Sequence, residues 1–153
     1  MNAAVLTISS SLARGEGEDK SGPSLVALCE AAGLETVLEV LADDRDAIEA
    51  ALRRLAGEDV RFVFTTGGTG LTPDDVTPEA TRAVIDREAP GFAEAIRVES
   101  REHTPLGILT RGVSGIRGRT LIVNFPGTPK AIDQSWPVIE PILRHAAETL
   151  ERA

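Results

Sequence analysis

Residues 65–80 read TTGGTGLTPDDVTPEA and join the end of an apolar β-rich run, a glycine-rich loop, an aspartate pair and the start of a helix. The run Val60–Thr65 predicts a buried strand, and the glycines after it let the main chain approach a ligand without interference from Cβ atoms. Thr77 is expected to cap the next helix, with Pro78 in its first turn, so that the positive end of the helix dipole faces the loop. The stretch therefore predicts a site for a phosphate group and its metal ion.

Two familiar phosphate-binding motifs do not fit this loop. A Walker A motif requires a lysine, and none lies between Gly67 and Asp75. Gly68–Pro73 begins like the dinucleotide fingerprint G-x-G-x-x-G but ends in proline, which alters the helix entry that the fingerprint needs. These residues exclude a P-loop and disfavour a Rossmann cofactor site. An ordinary glycine-rich turn with a solvated aspartate pair stays open as the alternative.

Composition narrows the class of partner. The 153 residues are 42% hydrophobic and 26% charged, with a formal net charge of −8. Binding to a nucleic-acid backbone needs clustered lysines and arginines, so we expect no nucleic acid as a partner. The apolar stretch Ala3–Ile8 is too short to span a bilayer and lacks a basic leader, which predicts no membrane insertion and a cytoplasmic location. Cys29 lies in an apolar helical context, and we interpret it as a buried packing residue.

Apolar runs and helix-forming segments alternate along the chain. Strands are predicted at Ala3–Ser9, Glu35–Leu41, Val60–Thr65 and Thr120–Asn124. A polar loop at Ser10–Gly22 leads into a helix that Ser21 or Ser24 caps and Gly33 ends. Further helices are predicted at Arg45–Leu55, Thr77–Arg87 and Gly91–Glu99, and a last helix after Lys130 is expected to be interrupted at Pro137 and Pro141. Glu102–Arg119 has no readable pattern.

This order of elements is typical of a parallel sheet covered on both faces by helices. We therefore predict a three-layer α/β/α domain with a mostly parallel sheet, and a single domain over residues 1–153 because no linker or repeat interrupts the chain. Ligands of such sheets bind beyond the carboxyl ends of the strands. Four polar segments are expected at that edge: Ser9–Ser11, Asp43–Asp44, Thr66–Asp75 and Phe125–Lys130.

Asp43 and Asp75 follow different strands, and two such carboxylates can hold one Mg²⁺ while phosphates and water complete its coordination. Aspartate is also a good helix cap, so capping is the alternative role for each, and Asp44 is a further candidate cap. Their common position at the predicted edge favours the metal site.

Basic residues are few near this edge. Lys130 starts the last helix, where a cation is unfavourable unless an anion compensates it, and so indicates a phosphate contact; a solvated lysine is the alternative. Arg111, Arg117 and Arg119 form a loose basic group, and of these Arg111 is our candidate substrate ligand; solvation or pairing with carboxylates is the alternative. His103 and His145 have no motif partners, which argues against a histidine general base.

Three motifs occur in order: TTGGTG with DVTPEA at 65–80, PGF at 90–92, and NFPGTPKA at 124–131. Together they resemble the molybdenum cofactor biosynthesis proteins, namely the molybdopterin adenylyltransferases and their MoaB-type relatives. The resemblance implies Mg²⁺-dependent transfer of AMP from ATP to the terminal phosphate of molybdopterin, with release of pyrophosphate. It also implies a homotrimer or a hexamer, with the molybdenum insertase as a partner.

By the same resemblance, the family's two functional aspartates fall on Asp43 and Asp75. Ser10, Ala42 and Asp74 depart from the family's usual aspartate, proline and basic residue. These departures leave a catalytically weak pterin-binding or scaffold protein as the alternative to an adenylyltransferase. The candidate substrate-binding residues are Ser9, Ser10, Thr66, Gly67, Gly68, Thr69, Gly70, Arg111, Pro126, Gly127 and Lys130.

Overall fold

The computed structural model describes residues 1–152 and contains a six-stranded sheet of order β2-β1-β3-β6-β5-β4. The strands are β1 (Asn2–Ile8), β2 (Glu35–Leu41), β3 (Phe62–Thr66), β4 (Arg87–Glu88), β5 (Ser114–Arg117) and β6 (Thr120–Phe125). The α-helices are α1 (Ser10–Ala13), α2 (Ser21–Ala31), α3 (Arg45–Gly57), α4 (Thr77–Val84), α5 (Gly91–His103) and α6 (Pro129–Leu150). A 3₁₀ helix at Pro105–Leu109 precedes β5.

Parallel strands form most of the sheet, and each of its faces is covered by helices. β1 pairs in parallel with β2 and β3, and β3 pairs in parallel with β6, whereas β5 is antiparallel to both β6 and β4. Along β1, Val5 packs with α2, α5 and α6, while its neighbours Ala4 and Leu6 pack with α3 and α4. The predicted three-layer α/β/α architecture with a mostly parallel sheet is confirmed.

Trp136 and Cys29 both pack in the core, and the interpretation of Cys29 as a buried packing residue is confirmed. Trp136 is 6% exposed, and its ring meets that of Phe64 edge-on with the centroids 5.7 Å apart. Cys29 is fully buried, and this burial raises the pKa of its thiol to about 12. The thiol is therefore neutral at physiological pH and unsuited to nucleophilic chemistry.

The segment between α4 and β6 differs from the prediction. The helix predicted at Thr77–Arg87 ends at Val84, because Ile85 is extended and the chain then forms β4 against β5. The next helix runs to His103 instead of Glu99. β4 and β5 are absent from the predicted set because two-residue and four-residue strands carry too few side chains for an apolar alternation.

The predicted interruption of the last helix is wrong, because α6 is continuous from Pro129 to Leu150. Pro137 and Pro141 are one helical turn apart and both exposed, so the carbonyls that lose their helical partners lie where water can reach them. The opposite face of α6 buries Ile132, Trp136, Ile139 and Leu143. Within residues 1–152, neither α6 nor any other helix has the length and hydrophobicity to cross a membrane.

Candidate active site

The carboxyl ends of four strands meet at one edge of the sheet. The Ser9 N–H donates to the Leu41 carbonyl at 2.8 Å, which joins the ends of β1 and β2. The Thr66 hydroxyl donates to the Pro126 carbonyl at 2.7 Å, which joins the ends of β3 and β6. These strands are parallel, so the polar segments that follow them lie together, as expected from the sequence.

Two glycines of the loop after β3 have conformations and contacts that exclude a side chain. Gly67 has φ +96°, and a Cβ there would lie 2.4 Å from the Ile8 carbonyl oxygen. Gly68 has φ +67°, and a Cβ there would lie 2.3 Å from Thr77 Oγ1. Residues with side chains rarely adopt such positive φ values. Glycine therefore lets this loop pack directly on the end of β1.

Thr77 holds this loop instead of capping α4, so the predicted capping role is wrong. Its hydroxyl donates to the Gly67 carbonyl at 3.1 Å, and its N–H donates to the Gly68 carbonyl at 3.2 Å. The N-cap of α4 is Val76, which makes no side-chain cap hydrogen bond, while Pro78 lies in the first turn as predicted. Thr77 is fully buried, and the loop carbonyl satisfies its one hydroxyl proton.

The loop keeps its donors free and its acceptors bonded. Within residues 1–152, no hydrogen bond uses the main-chain N–H groups of residues 68–70, whereas the Gly67 N–H faces the Phe125 carbonyl at the end of the β3–β6 pairing. The carbonyls of residues 67–70 accept hydrogen bonds from Thr77 or from Arg111. Free N–H groups of a glycine-rich turn form a concave site for an anion. The loop is therefore suited to bind a phosphate through its main chain.

Asp43 lies beside Gly68. Its Oδ2 is held by Ser10, while a Cβ at Gly68 would lie 3.3 Å from its Oδ1. The next residue, Asp44, caps α3 by accepting a hydrogen bond from the Ala47 N–H at 3.1 Å. Capping thus explains Asp44, whereas the carboxylate of Asp43 faces the glycine loop.

Asp75 lies beside Gly70, at the other end of the loop. Its Oδ2 accepts hydrogen bonds from the N–H and the hydroxyl of Thr72, at 3.0 and 2.8 Å. A Cβ at Gly70 would lie 2.8 Å from the same oxygen. Asp74 is exposed beside it. The structure therefore places both Asp43 and Asp75 next to the glycine loop, at Gly68 and Gly70 respectively.

Arg111 clamps the glycine loop from outside. Its Nε donates to the Gly70 carbonyl and its Nη2 to the Asp75 carbonyl, each at 2.7 Å. Its Nη1 lies 2.9 Å from a carboxylate oxygen of Glu79, and its main-chain N–H donates to the Thr69 carbonyl at 2.8 Å. The rigid guanidinium group thereby fixes the main chain at both Gly70 and Asp75, the two ends of the turn that contains Thr72.

Two cavities open beside the loop, and Gly127 lines both. The first, of about 340 Å³, lies next to β1 and is lined by residues that include Ser9, Asp19, Lys20, Ser21 and Thr66. The second, of about 320 Å³, lies on the loop and is lined by Gly67, Gly68, Thr69, Gly70, Asp75, Leu109, Thr110 and Gly127. Each is in the size range of small-molecule sites. The arrangement can hold two ligand groups side by side.

Lys130 is not brought together with these cavities. It is exposed and lines a separate cavity of about 550 Å³, whose lining also includes Glu99, His103 and Asp133. The two carboxylates in that cavity provide negative charge near a cation at the start of a helix. The structure thus leaves Lys130 apart from the glycine loop, while Pro126 and Gly127 lie beside it.

Asp19 belongs to the first cavity, although the predicted site omits it. Its Oδ2 accepts a hydrogen bond from the Thr7 hydroxyl at 2.8 Å, and its Oδ1 accepts one from the Gly22 N–H at 3.0 Å. A Cβ at Gly22 would lie 2.4 Å from Asp19 Oδ2. The sequence signal for this contact is an aspartate just before an apolar helix, followed three residues later by a glycine in the first turn of that helix.

Neither Ser21 nor Ser24 caps α2, so that prediction is wrong. The N-cap is Lys20, and it makes no side-chain cap hydrogen bond. The Ser21 hydroxyl instead donates to the Gly127 carbonyl at 2.8 Å and ties the first cavity to the loop after β6. The predicted loop before it also contains the short helix α1. Leu109 and Thr110 are further site residues that the sequence pattern missed.

Known proteins match this chain along most of its length. Residues 4–145 match a family described as a probable molybdopterin binding domain. The molybdopterin adenylyltransferase of Helicobacter pylori strain J99 is 37% identical over 150 residues, which cover 95% of this chain and 85% of that protein. The Drosophila melanogaster molybdenum cofactor synthesis protein cinnamon is 39% identical over 149 residues, which cover 95% of this chain but 25% of that protein.

A solved structure has the same fold. The crystal structure of the molybdopterin biosynthesis enzyme MoaB from Thermus thermophilus is 39% identical in sequence and superposes with a TM-score of 0.92. The superposition covers 99% of this chain and 97% of that one.

Proposed function

This chain belongs to the family of probable molybdopterin-binding domains, and we propose that it is a molybdopterin adenylyltransferase that transfers AMP from ATP to the terminal phosphate of molybdopterin. The observation that carries the proposal is the set of free N–H groups at residues 68–70, with the carboxylates of Asp43 and Asp75 next to Gly68 and Gly70. The name of the Helicobacter pylori relative supports this activity over that of a pterin-binding scaffold without turnover.

The proposed reaction needs no protein base. An oxygen of the molybdopterin phosphate attacks the α-phosphorus of ATP, the bond from that phosphorus to the oxygen bridging to the β-phosphorus breaks, and pyrophosphate leaves. A phosphate monoester has a second pKa of about 6 and is largely dianionic at neutral pH, so it is already a nucleophile. The protein then acts by positioning and by charge stabilisation. The N–H groups of residues 68–70 would donate to the phosphate oxygens.

The two cavities support a reaction between two bound substrates. They share Gly127, and the glycine loop with Thr66 lies between them. Substrates held in adjacent sites react as one unit, which removes much of the entropic barrier to a bimolecular step. We propose that one cavity holds the pterin substrate and the other holds the nucleotide.

Mg²⁺ fits the carboxylates of this site. Oδ1 of Asp43 and of Asp75 makes no hydrogen bond within residues 1–152, because Ser10 and Thr72 bind only Oδ2. Mg²⁺ prefers carboxylate, phosphate and water oxygens. No group of three or more acidic, histidine or cysteine side chains in the described chain could hold a metal, so phosphates and water would supply the other ligands. Bound there, Mg²⁺ would neutralise phosphate charge.

We further propose a cytoplasmic homotrimer or hexamer that passes its adenylylated product to a molybdenum insertase. A cytoplasmic location suits an enzyme that consumes ATP. Association is supported by β2, an edge strand on which Val37, Leu38 and Val40 are 55%, 38% and 38% exposed. Exposed apolar edge strands are commonly covered by a partner. Light scattering of the purified chain distinguishes a trimer from a hexamer, and a monomer would contradict the proposal.

The activity is tested by incubating the purified chain with molybdopterin, ATP and Mg²⁺ and measuring pyrophosphate and adenylylated molybdopterin. We expect both products in equal amounts, and none after addition of EDTA. Asp43→Asn should abolish turnover, whereas Asp44→Asn should not, because asparagine also caps helices. Binding of molybdopterin without product would favour a scaffold. Turnover by Asp43→Asn at the wild-type rate would refute the assigned site.

A further inference from the structure

We infer that Asn124, Thr81 and Thr77 form a buried positioning chain that holds the glycine loop in its anion-binding conformation. The inference rests on the proposed function only for the measurement of kcat described below. None of these three side chains belongs to the predicted site or lines either cavity. They are positioning residues, which act on the ligand through the main chain of the loop.

Asn124 is the buried centre of this chain. It is 2% exposed and lies in β6, where its Nδ2 donates to Thr65 Oγ1 at 2.9 Å and to Thr81 Oγ1 at 3.1 Å. Its Oδ1 accepts a hydrogen bond from the Val113 N–H at 3.1 Å. Both amide protons and the amide oxygen are thus bonded, so the side chain has one fixed orientation. It links β3, α4 and the chain entering β5.

One route leads from Asn124 through α4 to the start of the loop. The Thr81 hydroxyl accepts from Asn124 and donates to the Thr77 carbonyl at 2.8 Å. Thr77 in turn donates to the carbonyls of Gly67 and Gly68. Thr77 and Thr81 are both fully buried, so water cannot replace a lost bond without entering the core. This route fixes the side of the loop that lies next to Asp43.

A second route leads from Asn124 to the other end of the loop. Asn124 exchanges two hydrogen bonds with Val113, since its Oδ1 accepts from the Val113 N–H and its own N–H donates to the Val113 carbonyl at 3.0 Å. Arg111 lies two residues earlier and grips the carbonyls of Gly70 and Asp75. The buried side chain of Asn124 therefore helps to position both Thr77 and Arg111, the two residues that bind the carbonyls of the loop.

The chain offers a matched control for a purely structural role. Thr120 is also fully buried, and its hydroxyl donates to the Val60 carbonyl at 2.6 Å. It begins β6, whereas the glycine loop lies beyond the other end of the sheet. Threonine-to-valine changes at Thr81 and Thr120 each remove a buried hydroxyl that donates to a main-chain carbonyl, and the change at Thr81 also removes the acceptor of Asn124 Nδ2. Only the change at Thr81 should alter the conformation of the glycine loop.

The first measurement is amide chemical shift and hydrogen exchange by NMR in the wild type, Thr81→Val, Thr81→Ser and Thr120→Val. We expect the amides of residues 67–70 to shift and to exchange faster in Thr81→Val, and to regain wild-type behaviour in Thr81→Ser. Thr120→Val should leave them unchanged. Unperturbed loop amides in Thr81→Val, or equal perturbation by Thr120→Val, would overturn the inference. If Thr81→Val does not fold, Thr81→Ala removes the same hydroxyl without adding a methyl group.

The second measurement is steady-state release of pyrophosphate by the same variants. We expect kcat to fall about tenfold or more in Thr81→Val, because a small displacement of catalytic groups is costly. Thr81→Ser should recover most of the rate, and Thr120→Val should lose stability to denaturant but keep its kcat. An equal loss of kcat in both valine variants would overturn the inference. A wild type without turnover would refute the proposed function, while the NMR comparison would still decide the positioning role.

Discussion

Ser10 and Asp43 hold each other through three hydrogen bonds of 3.0 Å. The Ser10 N–H and hydroxyl both donate to Asp43 Oδ2, and the Asp43 N–H donates to Ser10 Oγ. The pair connects the carboxyl ends of β1 and β2 and leaves Asp43 Oδ1 facing the glycine loop. Ser10 thus orients the carboxylate proposed to hold the metal.

Ser10→Ala should lower kcat by about tenfold, because Asp43 keeps only the main-chain hydrogen bond and loses its fixed orientation. The free energy of unfolding should fall by about 1–3 kcal/mol, because the change removes two hydrogen bonds with a usual net value of about 0.5–1.5 kcal/mol each. Steady-state assays and urea titrations measure the two effects. Ser10→Thr retains the hydroxyl and serves as the control. Equal activity of the alanine and threonine variants would argue against an orienting role.

Asp75→Asn should reduce turnover by about a hundredfold or more, because it removes a charge that the proposed site uses next to the phosphates. The fold should persist, since an asparagine oxygen can still accept from Thr72. Asp74→Asn is the matched control, because Asp74 is the exposed neighbour. Circular dichroism and pyrophosphate release check the two expectations. If Asp74→Asn alone lost activity, the roles assigned to the two aspartates would be reversed.

Gly67→Ala should destabilise the protein by more than the about 1–3 kcal/mol that a strained φ alone costs. The added Cβ would lie 2.4 Å from the Ile8 carbonyl oxygen, so the loop must also move. Gly33→Ala measures the cost of the strained φ without a steric contact, because Gly33 has φ +85° with no atom within 4 Å of the added Cβ. Denaturant unfolding of both variants measures the difference. Equal destabilisation would mean that the contact with Ile8 adds nothing.

Arg111→Lys should lower both stability and kcat, although the charge is kept. A lysine ammonium cannot reproduce the two 2.7 Å hydrogen bonds from Nε and Nη2 to the carbonyls of Gly70 and Asp75. Losing one such bond costs about 1–3 kcal/mol when a carbonyl is left unpaired. Arg119→Lys is the control, because Arg119 pairs with Asp59 at the surface. Wild-type kcat in Arg111→Lys would show that the clamp is dispensable.

Stability should fall as the pH rises above about 9. Burial raises the pKa of the Cys29 thiol from 9.0 to about 12, so the unfolded chain loses this proton at lower pH than the folded chain. The unfolded state then binds fewer protons between these values, and the free energy of unfolding decreases with pH. Urea titrations from pH 8 to 11 should show a shallower decrease for Cys29→Ala. Identical slopes would exclude a contribution from Cys29.

The sequence-based prediction of the site reached those residues whose role follows from local chemistry. The position of the glycine loop directly after a buried strand, and the capping of α3 by Asp44, depend on neighbours a few residues away. The prediction failed where the fold offered a side chain more than one hydrogen-bond partner. Thr77 is a good N-cap by type, but the fold offers it the Gly67 carbonyl, which is ten residues distant in sequence. No local sequence pattern indicates that the Gly67 carbonyl will be close to Thr77.

The short antiparallel edge illustrates the same limit. β4 and β5 pair with each other, and β5 pairs with β6, although neither strand is long enough to produce a periodic apolar signal. Their pairing depends on the position of β6 and on contacts such as that between Val113 and Asn124. The prolines of α6 show the opposite kind of error. Proline is expected to interrupt a helix, but the buried apolar face of α6 keeps this helix continuous.

The sequence by itself determined the parallel α/β core and the glycine loop, because apolar periodicity and the steric freedom of glycine act over a few neighbouring residues. Tertiary structure alone decided which donors reach the loop: Thr77 and Arg111 bind its carbonyls, Ser10 orients Asp43, and Lys130 lies in a different cavity. Hydrogen bonds are short-ranged and directional, so their partners are chosen only after the strands and helices have packed.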